Sequence, residues 1–214
     1  MSELAHQLYL EALGKTEPYD VFVCGWEVTV FPGVFPPLHP DSAMLVEYND
    51  VRREEVVLDM GAGTGIQAIV SAARGASKVV AVDVSADAVE NTVHNANKYG
   101  CSEVLSARQG DLFLPIHAEE RFDLILANLP FEDKLPTQPH HCWVYDYNFE
   151  LHKRFLREAK GYLKPDGRVL LAFSSLGDVS FLEAELRRNK WDIHDKHATC
   201  ELGYDWFVYC LVGE

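Results

Sequence analysis

The sequence predicts an α/β fold: a doubly wound, mostly parallel sheet of seven strands with an antiparallel edge, preceded by a short helix and hairpin extension. Three observations carry that expectation. Apolar runs and amphipathic runs alternate from Val56 onward, the pattern of parallel strands joined by crossover helices. Two late apolar runs follow one another with no helical segment between them, which suits antiparallel pairing at one edge. A chain of 214 residues, 48% of them hydrophobic, can bury a substantial core without disulfide staples. The expected division is residues 1–45 as an N-terminal helix and hairpin lid and residues 46–214 as the main domain.

Leu4 to Leu13 reads as an amphipathic helix, with Leu4, Leu8 and Leu13 near one face and Gly14 as its stop. Val21 to Phe31 is rich in β-branched and aromatic residues around Gly25, which predicts a hairpin. Pro32, Gly33, Pro36, Pro37 and Pro40 then predict an irregular loop. Strands are expected at Val56 to Met60, Lys78 to Val84, Val104 to Gln109, Phe122 to Ala127 and Arg168 to Phe173. Helices are expected at Ile66 to Arg74, Ala86 to Tyr99, Phe149 to Leu163 and Val179 to Arg188. Trp191 to His194 and Trp206 to Leu211 are the late pair, and Phe131 to Tyr147 is a long loop of the kind that usually carries function.

The 19 basic and 33 acidic residues leave a net charge of −14, so a basic face able to displace counterions from a long nucleic acid is disfavoured. Cys24, Cys101, Cys142, Cys200 and Cys210 are odd in number and form no CxxC pair. That argues against a disulfide framework and for a reducing cytoplasm. No stretch reaches the apolar length of a membrane span, and the first residues lack the pattern of a signal peptide.

The chemistry concentrates where strands end. Val56-Val57-Leu58 delivers Asp59 and then Gly61-Ala62-Gly63-Thr64-Gly65 into a strand-to-helix turn. Glycines there let the backbone take positive φ and approach a ligand beside a helix N-terminus. A dinucleotide fingerprint would need a third small residue five places after Gly61, where Ile66 stands. One strand later Asp83, followed by Val84, can accept both hydroxyls of a ribose. Beyond the next strand Asp111 can accept from an exocyclic adenine amine while Leu112 covers the ring.

From Val56 to about Leu211 this arrangement resembles the class I S-adenosylmethionine-dependent methyltransferases, with their Rossmann-like sheet. The resemblance implies S-adenosylmethionine as cofactor. It implies that Gly61, Gly63 and Gly65, with Ala62 and Asp59, pass the methionine part of the donor, that Asp83 binds ribose, and that Asp111 meets adenine. Asn128-Leu129-Pro130-Phe131 resembles the Asn-Pro-Pro-Tyr/Phe motif of enzymes that methylate planar amine or amide nitrogens, and the Asn-Leu-Pro-Tyr/Phe form of rRNA adenine dimethyltransferases. Such a nitrogen has a delocalised lone pair, so acceptors must take its hydrogens and aim the pair at the methyl group. The Asn128 side-chain oxygen and the Leu129 carbonyl are the candidate acceptors, and Phe131 is the candidate stacking face. Leu129 stands where the more usual motif has proline.

Glu27 to Pro37, then Asp41-Ser42 and Leu45, resemble the entry segment of HemK-like glutamine methyltransferases, as does Phe155 to Leu176 near the other end. Release-factor enzymes of that group carry a helical substrate domain first, whereas about 45 residues precede the main domain here. The expected function is thus N-methylation of a planar amine or amide, on a glutamine-like protein side chain or a small molecule. Donor-consuming alkylation or cyclisation without net methyl transfer is the alternative within the fold, and a non-catalytic adenosine-binding partner subunit is the alternative outside enzymes. A homodimer or a small partner subunit is compatible with the chain. His140-His141-Cys142 lacks a second pair at zinc-like spacing, so no metal is expected. Trp143, Tyr145, Tyr147 and Phe149 either line the acceptor pocket or seal the sheet edge. His94 and His152 read as surface or boundary residues of helices.

Overall fold

A computed structural model describes residues 10–213. The helix expected over Leu4–Leu13 falls mostly outside the described residues; residues 10–13 are helical and end at the Gly14 turn. The hairpin forms from β1 (Tyr19–Val23) and β2 (Trp26–Val30) in antiparallel register. Its two-residue turn, Cys24 and Gly25, has φ of 48° and 83°, the positive pair that matches the twist of the flanking strands.

The seven-stranded sheet contains β3 (Val56–Met60), β4 (Lys78–Asp83), β5 (Leu105–Gln109), β6 (Phe122–Ala127), β7 (Leu163–Ser174), β8 (Trp191–Glu201) and β9 (Tyr204–Gly213). Their order is β5-β4-β3-β6-β7-β9-β8. The first five are parallel, while β9 runs antiparallel to β7 and β8 antiparallel to β9. Because strand order reverses at β3 and β6, the crevice beyond their C-terminal ends is where such a sheet takes ligands. The central strands are buried almost throughout, with Val57, Leu58, Val79, Val80 and Leu124 to Ala127 at 1% exposure or less, as expected of strands covered on both faces. Edge strand β8 is mostly exposed and carries Asp192, Asp195 and Lys196, charges that discourage pairing with another sheet.

The helices are α1 (Pro40–Tyr48), α2 (Ile66–Ala73), α3 (Ala86–Lys98), α4 (Glu150–Glu158) and α5 (Val179–Arg188). Neighbouring α1, α2 and α3 form one layer, and α4 packs on α5 in the other. Helix α1 replaces the tail of the expected Pro-rich loop: Pro40 sits in its first turn, where the absent N–H is no loss. Helix α4 stops at Glu158 and tightens into a 3-10 turn through Tyr162, shorter than the span to Leu163 that periodicity suggests. Both late strands are longer than their apolar runs, since β8 continues to Glu201 by pairing with β9 and not by burial. The loop from Phe131 to Tyr147 is partly ordered by a 3-10 helix at Pro139–Trp143 and a bridge between Glu132 and Tyr145.

Candidate active site

The glycine turn follows β3 directly. Gly61, Gly63 and Gly65 have φ of 75°, 54° and 80°, and the amides of Gly61 and Ala62 both donate to the Val82 carbonyl of β4, at 2.8 and 3.0 Å. Gly65 caps α2 in the left-handed region, and a Cβ there would lie 2.8 Å from Thr92 Cγ2. Helix α3 grips the turn: Thr92 Oγ1 donates to the Gly63 carbonyl at 3.1 Å and Asn95 Nδ2 to the Thr64 carbonyl at 2.9 Å. The same face of α3 holds the hairpin. Asn91 Oδ1 accepts from the Phe31 amide at 2.8 Å and Asn95 Oδ1 from the Thr29 amide at 3.0 Å, while both Nδ2 groups donate to the Thr29 carbonyl at 2.8 Å. Polar residues facing inward on a helix carry no periodic signal, and sequence reasoning missed all three.

The three strand-end acids differ in environment. Asp59 is 2% exposed and accepts from the Ala68 amide at 3.0 Å; burial, helped by the charge of Asp83, pushes its pKa up to about 7. Asp83 Oδ2 accepts from the Gly63 amide and Oδ1 from the Ser85 amide, each at 2.9 Å, which fixes the carboxylate across the turn. Burial raises its pKa, and the backbone donors oppose the rise. Asp111 is more open and pairs with Arg154 at 2.9 Å, a partner on α4 that the sequence did not suggest. Leu112 beside it is buried at a φ of 48°.

These residues converge on one cavity of about 360 Å³. Asp59, Gly61, Ala62 and Gly63 form its floor together with Asp83, Val84, Asp111 and Leu112; Asn128, Leu129 and Pro130 of the loop after β6 line it as well. Gly65 does not line it, and neither does Phe131. Gly33, Val34, Phe35 and Pro37 close the cavity from the N-terminal segment, and Cys142, Trp143 and Tyr145 from the long loop. Three acidic side chains, Asp59 protonated below about pH 7, and no lysine or arginine line the space, which suits a cationic ligand and opposes a pyrophosphate.

Asn128 stands at the junction with a second, smaller cavity of about 50 Å³. Its Nδ2 donates to Ser42 Oγ of α1 at 3.1 Å, next to Asp41, whose own pKa burial raises. Among the described residues neither Asn128 Oδ1 nor the Leu129 carbonyl accepts a hydrogen bond. Phe131 reaches the smaller cavity, its ring tilted on Phe173 at 5.5 Å and edge-on to Trp206 at 6.3 Å.

His140, His141 and Cys142 lie in the 3-10 helix, and no group of three metal-ligating side chains occurs among the described residues. His94 is exposed, as its helix position suggests. His152 corrects the expectation of a boundary residue: it is fully buried, with Nδ1 2.8 Å from Asp146 Oδ2 and its ring edge-on to Phe173. Asp146 also accepts from the amides of Leu151 and His152, so this pair anchors the long loop to the start of α4.

Residues 25–192 match the model of the methyltransferase small domain. A Methanocaldococcus jannaschii protein, provisionally named a protein N5-glutamine methyltransferase, is 32% identical over 161 residues, which is 71% of this chain and 78% of the relative. The ribosomal protein uL3 glutamine methyltransferase of Bradyrhizobium diazoefficiens is 33% identical over 146 residues; the match takes in 62% of this chain but only 46% of that longer protein. In three dimensions the ribosomal protein L11 methylase of Lactobacillus delbrueckii subsp. bulgaricus superposes with a TM-score of 0.67 at 22% identity, covering 86% of this chain and 84% of the other. The chain belongs to the methyltransferase small-domain family, and it is an S-adenosylmethionine-dependent methyltransferase of the class I fold.

Proposed function

We propose that this enzyme methylates the nitrogen of a small planar amide, a glutamine-like side chain of a protein or a compact metabolite, with Asn128 at the transfer point. The observation that carries the reading is the pair of unpaired acceptors, Asn128 Oδ1 and the Leu129 carbonyl, set where the two cavities meet. Together they can take both N–H groups of a primary carboxamide and hold its nitrogen towards the larger cavity. The relatives' glutamine acceptors support the same class.

On this reading the larger cavity holds the donor: Asp83 accepts from the ribose hydroxyls, Asp111 from the adenine amine with Leu112 and Val84 against the ring, and Gly61 to Gly63 pass the methionine part beside Asp59. When bound, S-adenosylmethionine would supply an electrophilic sulfonium methyl to the nitrogen held by Asn128 and Leu129, leaving as S-adenosylhomocysteine while the nitrogen gives up one proton. The carboxylate lining fits that cation. Phe131 shapes the acceptor side as a wall. Of the N-terminal unit expected over residues 1–45, ahead of the main domain at 46–214, the segment Gly33 to Pro37 closes over the cavity, and free thiols at all five cysteines favour a cytoplasmic setting.

Asn128→Ala tests the assignment. Turnover should fall at least about a hundredfold, with S-adenosylhomocysteine affinity, measured by calorimetry, within about threefold of wild type. Unchanged turnover refutes the placement of the acceptor.

A further inference from the structure

The smaller cavity has one polar wall residue that the transfer geometry leaves without a role. His39 immediately precedes α1, is 6% exposed, and lines this cavity but not the larger one. Its Nε2 is buried with no hydrogen-bond partner. The ring is pinned between aromatic neighbours, edge-on to Phe35 at 5.2 Å and to Trp206 at 5.9 Å, so it cannot swing out to solvent without breaking both contacts. A buried polar atom left unpaired is unfavourable, and here the residue that carries it walls the cavity.

The other polar side chains beside it are already committed. Asn128 directs its Nδ2 at Ser42. Asp41 accepts from the Ser42 amide at 2.7 Å, and Glu132 pairs with Lys134 at 2.5 Å. A carboxamide whose two N–H groups face Asn128 Oδ1 and the Leu129 carbonyl presents its oxygen on the far side of the same plane, where a donor is needed. Resting on the carboxamide reading above, we propose that His39, as the Nε2–H tautomer, donates to the carbonyl oxygen of the acceptor and so selects a carboxamide over an amine on a stem of equal length. The discrimination comes from the mismatch: an amine has a methylene where the carboxamide has its carbonyl, and leaves the buried nitrogen unpaired.

Two blocked tripeptides separate these cases: Ala-Gln-Ala, and Ala-Orn-Ala, in which ornithine replaces the side-chain carbonyl by a methylene. Each is titrated by calorimetry into the whole chain saturated with S-adenosylhomocysteine. Wild type should bind the glutamine peptide about ten- to a hundredfold more tightly than the ornithine peptide. His39→Leu should abolish that preference by weakening the glutamine peptide alone, and His39→Gln, which keeps a donor, should restore part of it. S-adenosylhomocysteine affinity, unchanged in both variants, certifies the fold. If His39→Leu retains the wild-type preference, the His39 assignment falls while the carboxamide reading stands. If wild type binds neither peptide, or binds the glutamine peptide and yields no methylated product with S-adenosylmethionine, the glutamine form of the carboxamide reading falls and takes the assignment with it. Should His39→Leu fail to bind S-adenosylhomocysteine, nitrogen resonances of the wild-type His39 ring decide: they shift on adding the glutamine peptide, and the absence of a shift overturns the proposal.

Discussion

Replacing Asp59 by asparagine keeps an oxygen in place to accept from the Ala68 amide and removes a charge from a site that is 2% exposed. In the folded chain the carboxyl holds its proton up to a pKa of about 7, against an ordinary value of 3.8. The unfolded chain therefore loses this proton first, so wild-type stability falls as pH rises between those values and levels off above the higher one. Each unit is worth about 1.4 kcal/mol, so the full interval of roughly three units corresponds to about 4 kcal/mol. From about pH 5 to about pH 8 the window crossed is roughly two units, or about 3 kcal/mol. Asp59→Asn lacks this dependence and should gain about that much stability relative to wild type across the range. Urea unfolding followed by tryptophan fluorescence, at constant ionic strength and without donor, measures it. A stability difference between variant and wild type that stays flat across this range would refute the claim that burial keeps Asp59 neutral.

Two further perturbations test how the donor site is held. Gly65→Ala places a methyl 2.8 Å from Thr92 Cγ2 at a φ of 80°, and should cost about 2–4 kcal/mol. Adding Thr92→Ala should return part of that loss in a double-mutant cycle, and strict additivity would argue against the clash. Asn91→Ala strips a donor from the Thr29 carbonyl and the acceptor from the Phe31 amide. It should cost about 1–2 kcal/mol and accelerate hydrogen exchange at Phe31, whereas unchanged protection there would show that the hairpin is held by its apolar contacts alone.

Local patterns account for what the sequence revealed. The glycine turn, the acids at positions 59, 83 and 111, and the Asn128 motif each lie at or just beyond the C-terminal end of a parallel strand, so the topology of a parallel sheet gathers them with no further information. What stayed hidden depends on distant partners. Four prolines between Pro32 and Pro40 spell a loop, yet Pro40 opens α1 and brings Asp41 and Ser42 to Asn128. His152 looks like any helix-surface histidine until Asp146 and Phe173 enclose it. The exposed half of β8 has no alternation to read, because its strand conformation comes from the ladder with β9. Arg154 opposite Asp111 joins positions 43 residues apart, on either side of β6.

The grip of α3 on two segments at once bears on how this architecture can be recombined. Asn95 alone bonds to Thr29 in the hairpin and to Thr64 in the glycine turn, so neither segment owns its attachment. A hairpin taken from a relative would arrive without its docking amides unless positions 91 and 95 travelled with it, and changing position 95 loosens the turn against which Asp83 is set. The smallest exchangeable unit in this region therefore runs from the hairpin through α3, across three stretches that look independent when written as a line.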